Sequence, residues 1–215
     1  EAGMPEGIVH SELLRRPGKL YVLASHFHPD HFNKEVLQWR EQRPDIIYIF
    51  SKDILRHRRA QKEDAVWLKK GEEYKDETLS VRAFGSTDVG VSFLLQAGGK
   101  KIFHAGDLND WEWDGAGDLI NGRVRRAFRH EIKKLSEKPI NVAFFPMDPK
   151  LMEYQFKGFD FFLQNTSAEF VFPMHMWQDY SGITEYKKRL SNKDMADRVI
   201  EIERENQTFA FGENY

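Results

Sequence analysis

Ser25-His26-Phe27-His28-Pro29-Asp30-His31-Phe32 sets three imidazoles and one carboxylate within six residues. It follows directly on the apolar run Lys19 to Ala24 and precedes the amphipathic stretch Asn33 to Gln42. The apolar run reads as a buried strand and the stretch beyond as a short helix, so the histidine-rich segment is a loop at a strand end. Loops of that kind are where binding and catalytic groups concentrate. On an extended segment His26 and His28 point to one side, and a turn at Pro29 brings Asp30 and His31 round to a neighbouring point. One loop of this form can serve two adjacent metal ions; a polar surface turn is the plainer alternative.

Two later segments repeat the form of an apolar strand ending in a metal-capable side chain. Ile102-Phe103-His104-Ala105-Gly106-Asp107 sets Asp107 after a small-residue turn, and Phe170-Val171-Phe172-Pro173-Met174-His175 sets His175 after a short strand ending at Pro173. Each is weak alone, because a single His beside apolar residues is commonly a hydrogen-bonded structural one. Further strands are expected at Ile46 to Phe50, Val66 to Lys69, Leu79 to Phe84, Val91 to Leu95, Lys101 to His104, Ile140 to Phe145 and Gln207 to Phe211. Gly98-Gly99 is the hairpin turn among them. Leu119, Ile120, Val124, Ala127, Phe128, Ile132 and Leu135 recur with the rhythm of one buried helix face. Leu151 to Gln164 and Tyr186 to Ile202 also read as helices. The mixture is α/β with a β-rich middle, sheets inside and helices covering them. No repeat, low-complexity stretch or linker interrupts it, so residues 1–215 read as a single domain.

The 215 residues are 40% hydrophobic, 31% charged and 13% aromatic, within the range of globular proteins. Cysteine is absent, which excludes thiolate nucleophiles, iron–sulfur clusters and cysteine zinc sites and leaves His, Asp and Glu as the strong metal ligands. That composition suits a cytoplasmic protein. A net charge of −2 supplies no field for polyanions, so nucleic acid is disfavoured as a partner and a small-molecule substrate is expected. The basic cluster Arg123 to Lys134 lies on the polar face of an amphipathic helix and reads as a solvated surface. No run approaches the roughly 18 apolar residues of a membrane span. The chain opens at Glu1 rather than Met, so an upstream segment is expected. Oligomeric state leaves no mark on the sequence.

HxHxDH, then Gly-Asp after a strand, then a late His after another strand resembles the metallo-β-lactamase superfamily, from about Lys19 to the end of the chain. Within it, the GSTDVGVSF and FHAGDLNDW segments are similar to a group of hydrolases related to ascorbate-6-phosphate lactonases. The resemblance implies a four-layer αββα sandwich with metals at one edge of its two sheets. It implies that His26 and His28 bind a first ion, that Asp30, His31 and His175 bind a second, and that Asp107 bridges the two. The sequence departs from the pattern twice. The superfamily's His between the first motif and the bridging Asp is absent, and Asp88, in Gly85-Ser86-Thr87-Asp88-Val89-Gly90, is either its oxygen-donor substitute or a turn residue capping a strand. Only 25 residues precede His26, so the first hairpin is expected to be missing, with one sheet edge left unprotected.

The implied activity is that of a metal-dependent hydrolase. Two divalent ions lower the pKa of bound water toward about 7 and polarise the bond under attack. Zinc suits the nitrogen donors best, while manganese, iron and nickel stay open. Asp30 and His175 are the expected catalytic pair, Asp30 orienting the hydroxide and His175 completing the second site. Trp111, beside Asp110 and Trp113, reads as a wall for substrate or as loop packing. His104 is expected to orient a neighbour rather than to ligate, and Asp148 to lie near the site. The substrate is a phosphodiester, a phosphorylated sugar lactone or another ester. Rival readings are a non-catalytic metal-binding or sensing member of the same fold, and a nuclease. No serine elbow, P-loop or GxGxxG segment offers other chemistry.

Overall fold

Side-chain alternation along one parallel sheet fixes how the layers stack. A computed structural model describes Val9 and residues 11–211. After the short helix α1 (Ser11–Leu14), strands β1 (Tyr21–Ala24), β2 (Ile47–Ser51) and β3 (Val66–Leu68) pair in parallel in that order. Parallel neighbours require crossovers. A 3₁₀ helix, Lys34–Glu41, makes the first, and α2 (Lys52–Arg56) lies in the second. Tyr48 and Phe50 of β2 face these helices and pack with Ile54, Leu37 and Trp39. Ile47 and Ile49 face the other way, against Val81 and Phe93 of a second sheet.

That second sheet has six strands in sequence order: β4 (Glu73–Lys75), β5 (Leu79–Phe84), β6 (Ser92–Ala97), β7 (Lys100–His104), β8 (Pro139–Pro146) and β9 (Ser167–Met174). Pairing is antiparallel as far as β7 and parallel beyond it. Helices α3 (Asp118–Lys133) and α4 (Lys157–Asn165) make the parallel crossovers, and Phe103, Ala143, Phe145 and Val171 pack against Phe128, Ile132, Phe159 and Phe162. Helices α5 (Ser181–Arg189) and α6 (Lys193–Arg198) follow β9. The layers therefore run helix, sheet, sheet, helix. Gly98 and Gly99 join β6 to β7 with φ of 55° and 76°, the left-handed pair that a two-residue hairpin turn of this hand demands. Among the described residues no strand precedes β1, which lies at an edge of its sheet.

Several expectations are corrected. Gln207 to Phe211 forms no strand; it is irregular chain whose Phe209 and Phe211 rings lie against Phe172. The stretch Tyr186 to Ile202 is divided between α5 and α6, and the start of Leu151 to Gln164 is a 3₁₀ segment broken at Met152 (φ 52°) before α4. Strand β9 runs through Pro173 to Met174, tolerable because β9 is an edge strand and proline lacks only the donor. In α3 the apolar face holds from Phe128 onward, but Leu119 and Ile120 stand exposed, 66% and 55%. The first turn of that helix reaches past the sheet.

Glu131 of α3 is buried, and its carboxylate accepts the Gly85 N–H at 2.9 Å and the ammonium groups of Lys70 (2.6 Å) and Lys134 (2.8 Å). It thus anchors the β5–β6 loop. Burial alone would raise its pKa, but these donors outweigh burial and hold it below the ordinary glutamate value. A depressed folded-state pKa stabilises the protein above the unfolded value of about 4.3 and loses that stabilisation as pH falls through the folded value. Glu131→Gln should lower stability at pH 7 by about 1–3 kcal/mol, the range for weakening a buried charged hydrogen-bond cluster. The acid limb of its urea-derived stability curve should be shallower than that of the parent below about pH 4.

Candidate metal centre

The loops leaving β1, β7 and β9 and the β5–β6 loop meet at one edge of the sandwich, and their His and Asp side chains form two clusters. One holds His26, His28, Asp88 and Asp107; the other holds Asp30, His31 and His175. In the first, His26 Nε2 lies 3.1 Å from His28 Nδ1 and 3.3 Å from Asp107 Oδ2, and His28 Nδ1 lies 3.4 Å from Asp88 Oδ2. In the second, His31 Nε2 lies 3.4 Å from Asp30 Oδ2, and His175 Nε2 lies 3.9 Å from the same oxygen. Asp107 Oδ1 faces this second group, 3.1 Å from His31 Nε2 and 3.6 Å from His175 Nε2. Each Asp107 oxygen thus serves one cluster.

Three observations fit a pair of divalent ions. Donor atoms bound at 2.0–2.1 Å on a tetrahedron stand about 3.4 Å apart, close to the spacings above. His31 Nε2, His175 Nε2 and Asp107 Oδ1 are buried atoms that make no hydrogen bond, and buried polar groups are otherwise satisfied. Among the described residues the ion-pair partners of Asp30, Asp88 and Asp107 are all imidazoles. The arrangement therefore offers each ion two nitrogens and two carboxylates, with Asp107 common to both.

Neighbouring groups set the ring orientations. His175 Nδ1–H donates to Asp148 Oδ2 at 2.7 Å, leaving Nε2 free to point at the second cluster. Burial opposes charge on both partners, yet their contact wins, raising the His175 pKa and lowering that of Asp148. Ser25 Oγ lies 3.0 Å from His26 Nδ1, on the side of the ring away from the cluster. Asp107 would be kept neutral by burial, but the His26 and His31 imidazoles facing it hold it well below the usual carboxylate range. His104 lies outside both clusters. Burial pushes its pKa down to about 4, and the neutral ring's Nδ1 accepts the Gly106 N–H at 3.1 Å, bracing the turn that carries Asp107.

His175 itself has φ of 66°, and Trp177 and Gln178 share the left-handed region. Such backbone costs on the order of 1 kcal/mol per residue and persists where surrounding contacts impose it. Trp111 lies beside the second cluster, its ring 5.8 Å from that of His175, and its Nε1 donates to the Asp107 carbonyl at 2.8 Å. Asp110 is elsewhere: it is buried, raised in pKa by that burial, and lies 3.6 Å from Arg125 Nε. Sequence reasoning passed over Ser25, Lys150 and Trp177. The one signal for the last two is position, two residues past Asp148 and His175 respectively.

No family model matches the chain, and neither does any curated relative. Solved structures do. CmlA, a diiron β-hydroxylase from Streptomyces venezuelae, is 14% identical with a TM-score of 0.52, over 88% of this chain and 39% of that protein. The chain thus spans well under half of that protein's length. The metallo-β-lactamase fold protein YhfI from Bacillus subtilis is 10% identical (TM-score 0.45, 73% and 65% covered), and zinc-bound PqqB from Methylobacterium extorquens is 13% identical (0.44, 73% and 59%). The mixed α/β architecture described above, two sheets with helices over their outer faces, is shared with the CmlA structure.

Proposed function

We propose that this protein is a metal-dependent hydrolase that uses ionised solvent to cleave an ester, lactone or phosphodiester bond of a small molecule. The observation that carries the reading is Asp107, a buried carboxylate whose two oxygens face two separate His/Asp clusters. Bound there, divalent ions supply Lewis acidity and bring the pKa of coordinated water toward about 7. His26, His28, Asp88 and Asp107 would hold the first, and Asp30, His31, His175 and Asp107 the second. Zinc is the first choice for these donors, and manganese, iron and nickel are accommodated by the carboxylate share. The diiron neighbour illustrates that the fold does not select the metal or the reaction.

The chain's own groups supply the rest. Asp30 is the most exposed carboxylate of the second cluster, placed to accept a hydrogen bond from the attacking water and to take its proton. His175, fixed by Asp148, completes that side, and Trp111 walls the space in front of it. The lactonase-like GSTDVGVSF and FHAGDLNDW segments make sugar-phosphate lactones members of the substrate panel. Among the described residues no helix is long and apolar enough to cross a membrane, and the cysteine-free composition suits the cytoplasm.

Protein stripped with chelator and reloaded should take up two equivalents of divalent metal by elemental analysis and hydrolyse at least one of bis(4-nitrophenyl) phosphate, 4-nitrophenyl acetate or a sugar lactone. His28→Ala should retain about one equivalent and lose activity at least a hundredfold. A protein that takes up no metal and leaves the whole panel intact would sink the reading. Asp148→Asn should keep its circular dichroism while one of the two equivalents loses about 10–100-fold in affinity, the effect of removing a carboxylate behind a ligating imidazole.

A further inference from the structure

The cleft in front of the two clusters has a second set of features that water activation does not use. It encloses about 430 Å³. Trp111 and Trp113 form one wall, their rings parallel within 8° and 6.5 Å apart. The Trp111 ring is pinned by its bond to the Asp107 carbonyl, and the Trp113 backbone by the Asn121 side chain, which accepts the Trp113 backbone N–H at 3.3 Å and donates to its carbonyl at 3.1 Å. The first turn of α3 rises over this wall and presents Ile120, with Leu119 beside it. Trp177 also lines the cleft, edge-on to His175 at 5.2 Å and 49% exposed. Of the seven large apolar side chains exposed among the described residues, Trp113, Ile120 and Trp177 all line this one cleft. Scattered apolar side chains on a surface need no explanation, but a set gathered round one concave site marks a binding surface.

The cleft also holds one ammonium. Lys150 Nζ sits 3.1 Å from the centroid of the Trp177 ring, and among the described residues it pairs with no carboxylate. The indole face holds the amine in place without neutralising it, so its charge is available to a ligand.

We propose that the cleft binds an anionic amphiphile: a small molecule whose aryl or acyl group lies against Trp113 and Ile120 while its carboxylate or phosphate meets Lys150. That this ligand is the substrate rests on the hydrolase reading; that the cleft binds it does not. The apolar part accounts for an exposed Ile120 at the start of an otherwise amphipathic helix, and the anion accounts for an unpaired lysine beside a group of carboxylates.

Quenching of tryptophan fluorescence tests the binding without turnover, on metal-loaded and chelator-stripped protein alike. The probes are 4-phenylbutyrate, phenyl phosphate, the neutral 4-phenylbutanol and the non-aromatic butyrate. One or both aromatic anions should saturate the signal at concentrations at least tenfold below those needed for 4-phenylbutanol or butyrate, and whichever binds tighter identifies the anionic group. Ile120→Asp, a change at an exposed position, should weaken the aromatic anions about tenfold, and Lys150→Ala should erase their advantage over the alcohol. Equal binding of alcohol and anions overturns the proposal, as does an anion preference that survives Lys150→Ala and vanishes on metal removal, since coordination alone then explains it. Sedimentation with phosphatidylcholine–phosphatidylglycerol vesicles without binding of any monomeric probe also overturns it, in favour of a lipid surface. Should the probes bind as expected while no ester is hydrolysed, the hydrolase reading falls and the cleft assignment stands.

Discussion

Asp30, Asp88 and Asp107 converge at one edge of the sandwich, and among the described residues no ammonium or guanidinium stands against any of them, so that charge has to be met by something. Like-charged carboxylates in a partly dry site either take up protons or gather cations. Asp107 keeps its charge, since the imidazoles around it favour its ionised form despite burial. Because one of its oxygens faces each cluster, its position sets both the existence of the two sites and their separation. Every neighbouring contact can be understood as holding that carboxylate between the two groups of rings.

Close approach of backbone makes this convergence possible. Gly90 ends the β5–β6 loop with φ of 73°, and a Cβ there would stand 2.1 Å from the Ser25 carbonyl oxygen and 2.5 Å from His26 Cβ. The Val91 N–H donates to that same Ser25 carbonyl at 3.0 Å. A larger residue would therefore push the Asp88 loop away from the histidine loop and open the first cluster. On the opposite side of the loop, Thr87 Oγ1 donates to the Asn109 carbonyl at 2.6 Å and receives the Asn109 N–H at 2.9 Å, tying it to the segment that follows Asp107. Beneath that segment Glu112 accepts from Arg125 and Lys157. The donors converge because the four loops are stitched to one another, while the sheets below supply direction.

The sequence displayed the chemistry more clearly than the packing. The His26 to His31 loop, the turn at Asp107 and His175 each follow an apolar strand, and the parallel strands of the fold deliver all three to the same edge. Asp88 was ambiguous because a turn carboxylate and a ligand look alike in one dimension; its placement 3.4 Å from His28 Nδ1 depends on contacts of Gly90 and Glu131 with distant segments, which the sequence does not display. Leu119 and Ile120 misled for a different reason. Periodicity records which side chains share a helix face, but not where the sheet beneath that face ends. Gln207 to Phe211 has the alternation of a strand, yet its rings pack on Phe170 and Phe172 without ladder pairing, since alternation specifies a half-buried surface and not the partner that would pair with it.

The carboxylate at position 88 also bears on what the cleft must do for a ligand. With neutral imidazoles, three carboxylates around two divalent ions would leave one net positive charge, where a third imidazole in place of Asp88 would leave two. A centre so neutralised exerts a weaker pull on an anion in the cleft. Asp148 behind His175 reduces that pull further. A ligand with a carboxylate or phosphate thus gains little orientation from the ions alone. The lysine at 150, fixed over an indole, would restore a cationic point in the cleft. On the hydrolase reading, binding energy from a group remote from the reacting atoms would then position the substrate without competing for the coordination sites.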